Sequence, residues 1–307
     1  MNEQYLSILN TIDFTRVIDH PNILIAAAFW DEDRYRAARI CYKYMRTIDD
    51  MIDCHKSAHR VIADHEKQQF RDTVKTWIAM AYNTTNSTPE NHELAETIRN
   101  FRIPIWPLEA FADSMMFDID YNGFRTLDEF IRYSQGASVA PASIFVHLSG
   151  LTKNSGGYGP PSFDVKAAAT PCAMFSYLVH VIRDFQKDQQ SNLNYFAGDK
   201  MARYGLTSGD LSTMARHGKV SDGFRNMIRE YMTVADGYRQ ATYKVIQDIW
   251  PMLEPRYRLS LKIIFNLYLM VFERFDTTQG NFNMEEVNPT PAEIRDRVRK
   301  TIMDFRK

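Results

Sequence analysis

Apolar residues recur at three- and four-residue intervals along most of the chain, and the two-residue alternation of half-buried strands is hard to find. That spacing predicts long helices over 32–54, 60–82, 91–118 (interrupted near Pro104 and Pro107), 127–149, 163–190, 221–249 and 252–275. Thr126 with Glu129 forms a capping-box pattern ahead of LDEFIRYSQGAS, and Thr290, Pro291 and Glu293 open the last helix. Thr152–Pro161 (TKNSGGYGPP) and the stretch around Gly205–Gly209 are rich in turn formers and read as connectors. No strand-and-helix alternation supports a doubly wound sheet. The Gly-Gly-Tyr-Gly piece follows no strand and matches no phosphate-binding fingerprint. The expected fold class is therefore all-α, a single large helical bundle filling residues 1–307. Its core covers about 20–276, and a polar tail over 277–307 ends in one short amphipathic helix. Ile294, Val298, Ile302 and Phe305 form the apolar stripe of that helix, with Arg295, Arg297, Arg299 and Lys300 around it. A stripe of this kind packs on the bundle more often than it docks on a membrane. Peripheral membrane contact stays open through the basic residues.

Two helix faces break the ordinary pattern. In CYKYMRTIDDMIDCHK, Asp49 and Asp53 are four apart and Asp50 and Asp53 three apart, so all three lie near one face. Like charges so spaced cost a helix roughly 0.2–0.5 kcal/mol per pair. Their neighbours Ile48, Met51 and Ile52 are apolar, unlike those of a solvated charge run. In SYLVHVIRDFQKDQQ the geometry repeats: Asp184 and Asp188 are four apart, His180 lies one turn earlier, and Tyr177 stands a step further back. A single acidic pair usually marks a surface. Two such pairs among core-like residues point to a hard-cation site, because Mg2+ takes oxygen ligands and is bound by one or two carboxylates plus substrate phosphates. The chemistry that follows is ionisation of an allylic diphosphate. The metal would neutralise the leaving pyrophosphate and an aromatic-lined pocket would hold the cation.

Composition narrows the field. The 307 residues are 45% hydrophobic and 24% charged with a formal net charge of -1, so no strong field recruits nucleic acid. Cys41, Cys54 and Cys172 form no close metal-ligand pair, and an odd, widely spaced set argues for a reducing compartment. The first twenty residues lack a basic start followed by an apolar block, and the longest apolar runs, Ile23–Trp30 and Ile263–Phe272, are too short to span a bilayer. A cytoplasmic protein, at most peripheral to a membrane, is expected. A di-iron Glu-x-x-His pair, H-E-x-x-H and G-x-S-x-G are all missing.

The acidic segments resemble the squalene/phytoene synthase family, which joins two prenyl diphosphates head to head. Tyr42-Lys-Tyr-Met-Arg46-Thr-Ile-Asp49-Asp50-Met-Ile-Asp53 matches its first motif, Y-x-x-x-R-x-x-D-D-x-x-D, in full. His180-Val-Ile-Arg183-Asp184-Phe-Gln-Lys-Asp188, with Tyr195 beyond, is similar to its second, N-x-x-R-D-x-x-x-D. Tyr133-Ser-Gln-Gly136-Ala-Ser-Val-Ala-Pro-Ala-Ser143 resembles the helix between them. Met116-Phe-Asp118 sits where the family often has M-x-D, and Tyr268-Leu-Met-Val-Phe-Glu273 is similar to its late helix. The resemblance implies an isoprenoid synthase bundle with a central cavity, and Mg2+ held by Asp49 and Asp53 for one diphosphate and by Asp184 and Asp188 for the other. It implies diphosphate contacts from Tyr42, Arg46, His180 and Arg183, with Tyr133 and Tyr268 lining the reacting centre. Farnesyl or geranylgeranyl diphosphate would give a squalene-, dehydrosqualene- or phytoene-type product, with NADPH left open as a reductant.

Three departures mark a divergent, bacterial-type member. His180 stands where the family has a metal-binding asparagine, and imidazole suits Mg2+ less well than an amide oxygen. It can instead hydrogen-bond diphosphate or carry a proton. Leu193 replaces an arginine two residues before Tyr195, and the N-terminal His-Ser-x-S-F pattern is only hinted at by His20-Pro-Asn-Ile. Two alternatives stay open: another prenyltransferase or terpene cyclase using the same ionisation site, and a non-catalytic relative resembling an assembly factor.

Overall fold

In the computed structural model, residues 2–16, 22–59, 61–82 and 89–305 are described; His20 and Pro21 lie outside them. The helices are α1 (Asn2–Leu9), α2 (Asn22–Ala27), α3 (Glu32–His59), α4 (Asp64–Tyr82), α5 (Pro89–Asn100), α6 (Trp106–Asp120), α7 (Leu127–Ser134) and α8 (Ala140–Gly150). After a small hairpin follow α9 (Val165–Arg183), α10 (Phe185–Gln190), α11 (Gly198–Arg203), α12 (Ser208–His217), α13 (Asp222–Ile249), α14 (Pro255–Phe272), α15 (Met284–Val287) and α16 (Pro291–Met303). The all-α expectation holds. Among the described residues the strands are β1 (Thr152–Asn154) and β2 (Gly157–Gly159), paired antiparallel in the segment that reads as a plain connector.

Local chemistry sets the helix ends. Thr290 and Glu293 complete the expected reciprocal capping box on α16. At α7 only half of the box forms: Thr126 accepts from the Glu129 amide, while the Glu129 carboxylate accepts from the Arg125 amide at 2.6 Å. Thr207 and Asp210 build a second full box that opens α12, turning part of the Gly205–Gly209 connector into a helix start. The long 127–149 prediction divides into α7, a π-helical turn over Gln135–Val139, and α8. The turn lets α6 approach: a Cβ on Gly136 would lie 2.0 Å from the Ala110 carbonyl oxygen, so no larger residue fits there.

Two apolar clusters fill the interior. One gathers α1–α6, α8, α14 and α16; the other gathers α7 and α9–α14. Within α3 the buried stripe runs Cys41, Met45, Ile48, Ile52 and then Lys56, each one turn from the last. α9 is long and apolar enough to cross a bilayer, a feature that uninterrupted apolar runs do not reveal. Here it packs against α13, α8 and α14, with Phe175, Leu178, Val179 and Ile182 fully buried. The segment after Asp276 is not merely appended. Phe282, Val287, Ile294, Val298, Ile302 and Phe305 are all buried, and α16 packs on α14 and α1. The apolar stripe of α16 is therefore used up inside the fold.

Candidate active site

The two acidic faces stand on opposite apolar clusters. α3 roots its carboxylates in the first through Ile48 and Ile52; α9 and α10 root theirs in the second through Val181, Ile182 and Phe185. The ends of the two faces are tied directly, since the Asn192 side-chain amide donates to the Ser57 carbonyl at 2.8 Å.

Charge shows that the faces meet. Asp49, its side chain 25% exposed, has its carboxyl pushed up to about 6 by burial and by the charges of Asp118 and Asp50, against the pull of Arg46. Asp53 is pushed up to about 7 by burial and then by Asp49 and Asp118. Across the gap Asp188 is held well above the usual carboxylate range by burial, by Asp184 and by Asp53 of the facing helix. Three partly enclosed carboxylates thus repel one another with too little positive charge nearby to balance them.

Asp184 differs. Burial alone would raise it, but His180 and Arg183 outweigh burial and hold it well below the carboxylate range. His180 Nε2 lies 2.6 Å from Oδ2, and Arg183 reaches both oxygens, at 2.6 and 2.9 Å. The chain bends here. Predicted helix 163–190 is divided at Asp184, which ends α9 and precedes α10 (φ -89, ψ 5). The bond from the Asp188 amide to the Asp184 carbonyl at 2.8 Å keeps the two carboxylates one turn apart. His180 is thereby placed against its own aspartate, and Arg183 is occupied in the same way. Arg46 likewise binds Asp49 at 2.7 Å and Asp50 at 2.5 Å along its own helix.

Aromatic side chains line the neighbouring wall. Tyr133 sits among Phe117, Phe124 and Tyr177, with ring centroids 5.5, 5.0 and 6.5 Å away. Burial raises the hydroxyls of Tyr177 and Tyr195 well above their ordinary value; Asp118, Asp49 and Asp53 add to the effect at Tyr177, and Asp53 and Asp188 of the two faces at Tyr195. Tyr268 is pushed up to about 12, chiefly by burial, and feels Arg183, Asp184 and Tyr42. Tyr42 and Tyr268 thus share one corner of the site and Tyr133 holds another. Beside Tyr42 lies a narrow cavity of about 20 Å³ walled by apolar residues such as Ile23, Met45 and Phe145. The sequence assigned no role to Lys56. Its position one turn beyond Asp53 was the available signal.

Mg2+ fits this donor set. The ligands available from Asp49, Asp53 and Asp188 are oxygens alone, and their mutual repulsion is what a hard dication relieves. Among the described residues no three acidic, His or Cys side chains are close enough to hold an ion unaided. A metal that keeps phosphate oxygens in its shell needs only one or two of them.

Comparison with known proteins gives a family and a fold. A model described as squalene/phytoene synthase matches residues 20–296, reaching past the motif-bearing core into the C-terminal segment. A chloroplastic phytoene synthase of Narcissus pseudonarcissus is 20% identical over 225 residues, covering 72% of this chain and 50% of that protein. Phytoene synthase 1 of Solanum lycopersicum is 21% identical over 217 residues, covering 71% and 50%. The chain spans about half the length of these curated relatives. A crystal structure of a dehydrosqualene synthase in complex with ligand superposes with a TM-score of 0.67 at 14% identity, over 99% of both chains. YisP of Bacillus subtilis superposes at 0.61 with 16% identity, over 96% of this chain and 95% of that one. At such identities the structural likeness concerns the fold.

Proposed function

Because the chain belongs to the squalene/phytoene synthase family, we propose that it is a prenyltransferase that condenses two prenyl diphosphates head to head and releases diphosphate. The observation that carries this reading is the crowding of Asp49, Asp53 and Asp188, whose carboxyls are raised first by burial and then by neighbouring carboxylates, Asp53 acting on Asp188 from the facing helix. Mg2+ bound there would neutralise the leaving diphosphate and so ease rupture of the allylic C–O bond.

The chain's own residues supply the rest. Arg46 is hinged between Asp49 and Asp50, and its half-exposed guanidinium can turn to a diphosphate once a metal takes those carboxylates. Arg183 and His180 hold Asp184, so they would act on a diphosphate through that carboxylate unless a metal draws it away. The faces of Tyr133, Tyr177 and Phe124 provide the electron-rich surface that a carbocation needs. The apolar slot beside Tyr42 offers a path for a prenyl tail, and at about 20 Å³ its walls must yield on binding. A farnesyl or geranylgeranyl chain leading to a squalene-, dehydrosqualene- or phytoene-type product agrees with the relatives' named activities.

Purified protein incubated with Mg2+ and farnesyl or geranylgeranyl diphosphate, with and without NADPH, tests the proposal. Release of diphosphate with a hydrocarbon of twice the substrate's carbon number is expected. Folded protein that releases no diphosphate from either substrate would remove every catalytic reading. Release that gives only monomeric terpenes would favour a cyclase.

A further inference from the structure

Lys56 is an anomaly in the buried stripe of α3. Its side chain is 5% exposed, and a buried ammonium is costly unless it is paired. Its Nζ lies 3.3 Å from Oδ1 of Asp118 on α6, whose side chain is 9% exposed, and donates to the Tyr121 carbonyl at 3.0 Å. The other Asp118 oxygen accepts the Tyr133 hydroxyl at 2.5 Å. The Tyr133 backbone is fixed separately, because Ser114 Oγ donates to its carbonyl at 2.9 Å. A continuous polar line therefore leaves the aromatic wall and enters an otherwise apolar helix interface. It ends at a cavity of about 310 Å³ that both Lys56 and Asp118 line, together with Asp64, Lys67, Asp120 and Asn122. Charged and amide groups share its lining with apolar residues such as Ile62 and Ile119, and it is large enough for several waters.

We propose that Asp118, held in place by Lys56, is a proton exit that connects Tyr133 to the water-accessible cavity between α3, α4 and α6. The inference rests on the proposed condensation. There, a C–C bond formed between a prenyl cation and the double bond of a second prenyl diphosphate leaves a carbocation that must lose a proton. The C–H electron pair stays on the product. The proton passes to Tyr133 Oη while the Tyr133 hydroxyl proton moves to Asp118 Oδ2, and neutral Asp118 then gives its proton to cavity water. Lys56 remains an ammonium throughout. It and Asp118 act through Tyr133 and are positioning residues. Burial raises the Asp118 carboxyl while Lys56 and Tyr133 pull it back, leaving it above its ordinary value, as suits a group that must hold a proton briefly.

The test is the fate of the cation. In Asp118→Asn, hydrocarbon formed per diphosphate released should fall on the order of a hundredfold, with a coupled alcohol from water capture of the joined cation in its place. In Asp118→Ala, added formate entering the cavity should restore part of the hydrocarbon yield. The double variant Lys56→Met/Asp118→Leu, which removes both charges together and so leaves neither buried alone, should give the same alcohol product. A wild-type hydrocarbon ratio in any folded one of these, or no effect of formate, overturns the relay. Diphosphate release by the unmutated protein tests the parent reading by itself. The coupling of Tyr133 to Asp118 is read without turnover, from the tyrosine 13Cζ resonance that is lost in Tyr133→Phe. It should move in Asp118→Asn, and an unmoved line also overturns the relay.

Discussion

Asp49, Asp53 and Asp188 each carry a raised carboxyl in the fold, whereas a free aspartate titrates near 3.9. The folded protein therefore binds more protons than the unfolded chain between roughly pH 4 and pH 7, and its stability falls as pH rises through that window. This is the reverse of the usual contribution from an ion-paired carboxylate. Without divalent metal, the melting temperature should be several degrees higher at pH 5 than at pH 8 once other titrations are matched. Asp53→Asn should narrow that difference and at the same time abolish metal-dependent diphosphate release. A thermal scan that shows no narrowing would mean that Asp53 is not charged against its neighbours. Asp184 has the opposite sign: its contribution is present above the ordinary aspartate range and is lost only in strong acid, as His180 and Arg183 lose their partner. The two aspartate motifs, almost alike as sequence, are thus electrostatically unlike. The sequence did not reveal this difference, because it arises from a bend at Asp184 that turns His180 and Arg183 onto one carboxylate. Lys56 was hidden for a related reason. A lysine ending a helix stripe reads as a surface residue, and its partner Asp118 lies sixty-two positions away in the chain.

At the scale of elements, periodicity located α3, α4, α13 and α14 to within a few residues, because each keeps its apolar residues at helical spacing over several uninterrupted turns. It joined α7 to α8 and α9 to α10, because a π-helical turn and a one-residue bend leave the apolar spacing nearly intact. The short α11 and α15 gave too few turns for a period to show, and their helicity comes from packing. Gly136 is where the π-helical turn touches α6, so Gly136→Ala should cost at least 2 kcal/mol, roughly the overpacking penalty. It should also displace Ser114 and Tyr133; denaturant unfolding and the tyrosine spectrum would report both. The α16 stripe is a second check. Ile302 is fully buried, so Ile302→Ala should lower stability by about 2–5 kcal/mol and leave binding to anionic vesicles unchanged. Weakened vesicle flotation at unchanged stability would mean that the stripe faces lipid.

For the whole molecule, two apolar clusters each bring one acidic face, and Asp53 on one face acts on Asp188 of the other. Ligands that bind only the folded state stabilise it in proportion to their affinity. Mg2+ and inorganic diphosphate together should therefore raise the melting temperature at pH 8 by more than the sum of their separate effects. The most direct measurement is anomalous diffraction from crystals grown with Mn2+ and inorganic diphosphate. Metal peaks within about 2.0–2.6 Å of carboxylate oxygens on both α3 and α10, with diphosphate between them, are the predicted result. Peaks confined to isolated surface carboxylates, with the two faces unbridged, would contradict the account.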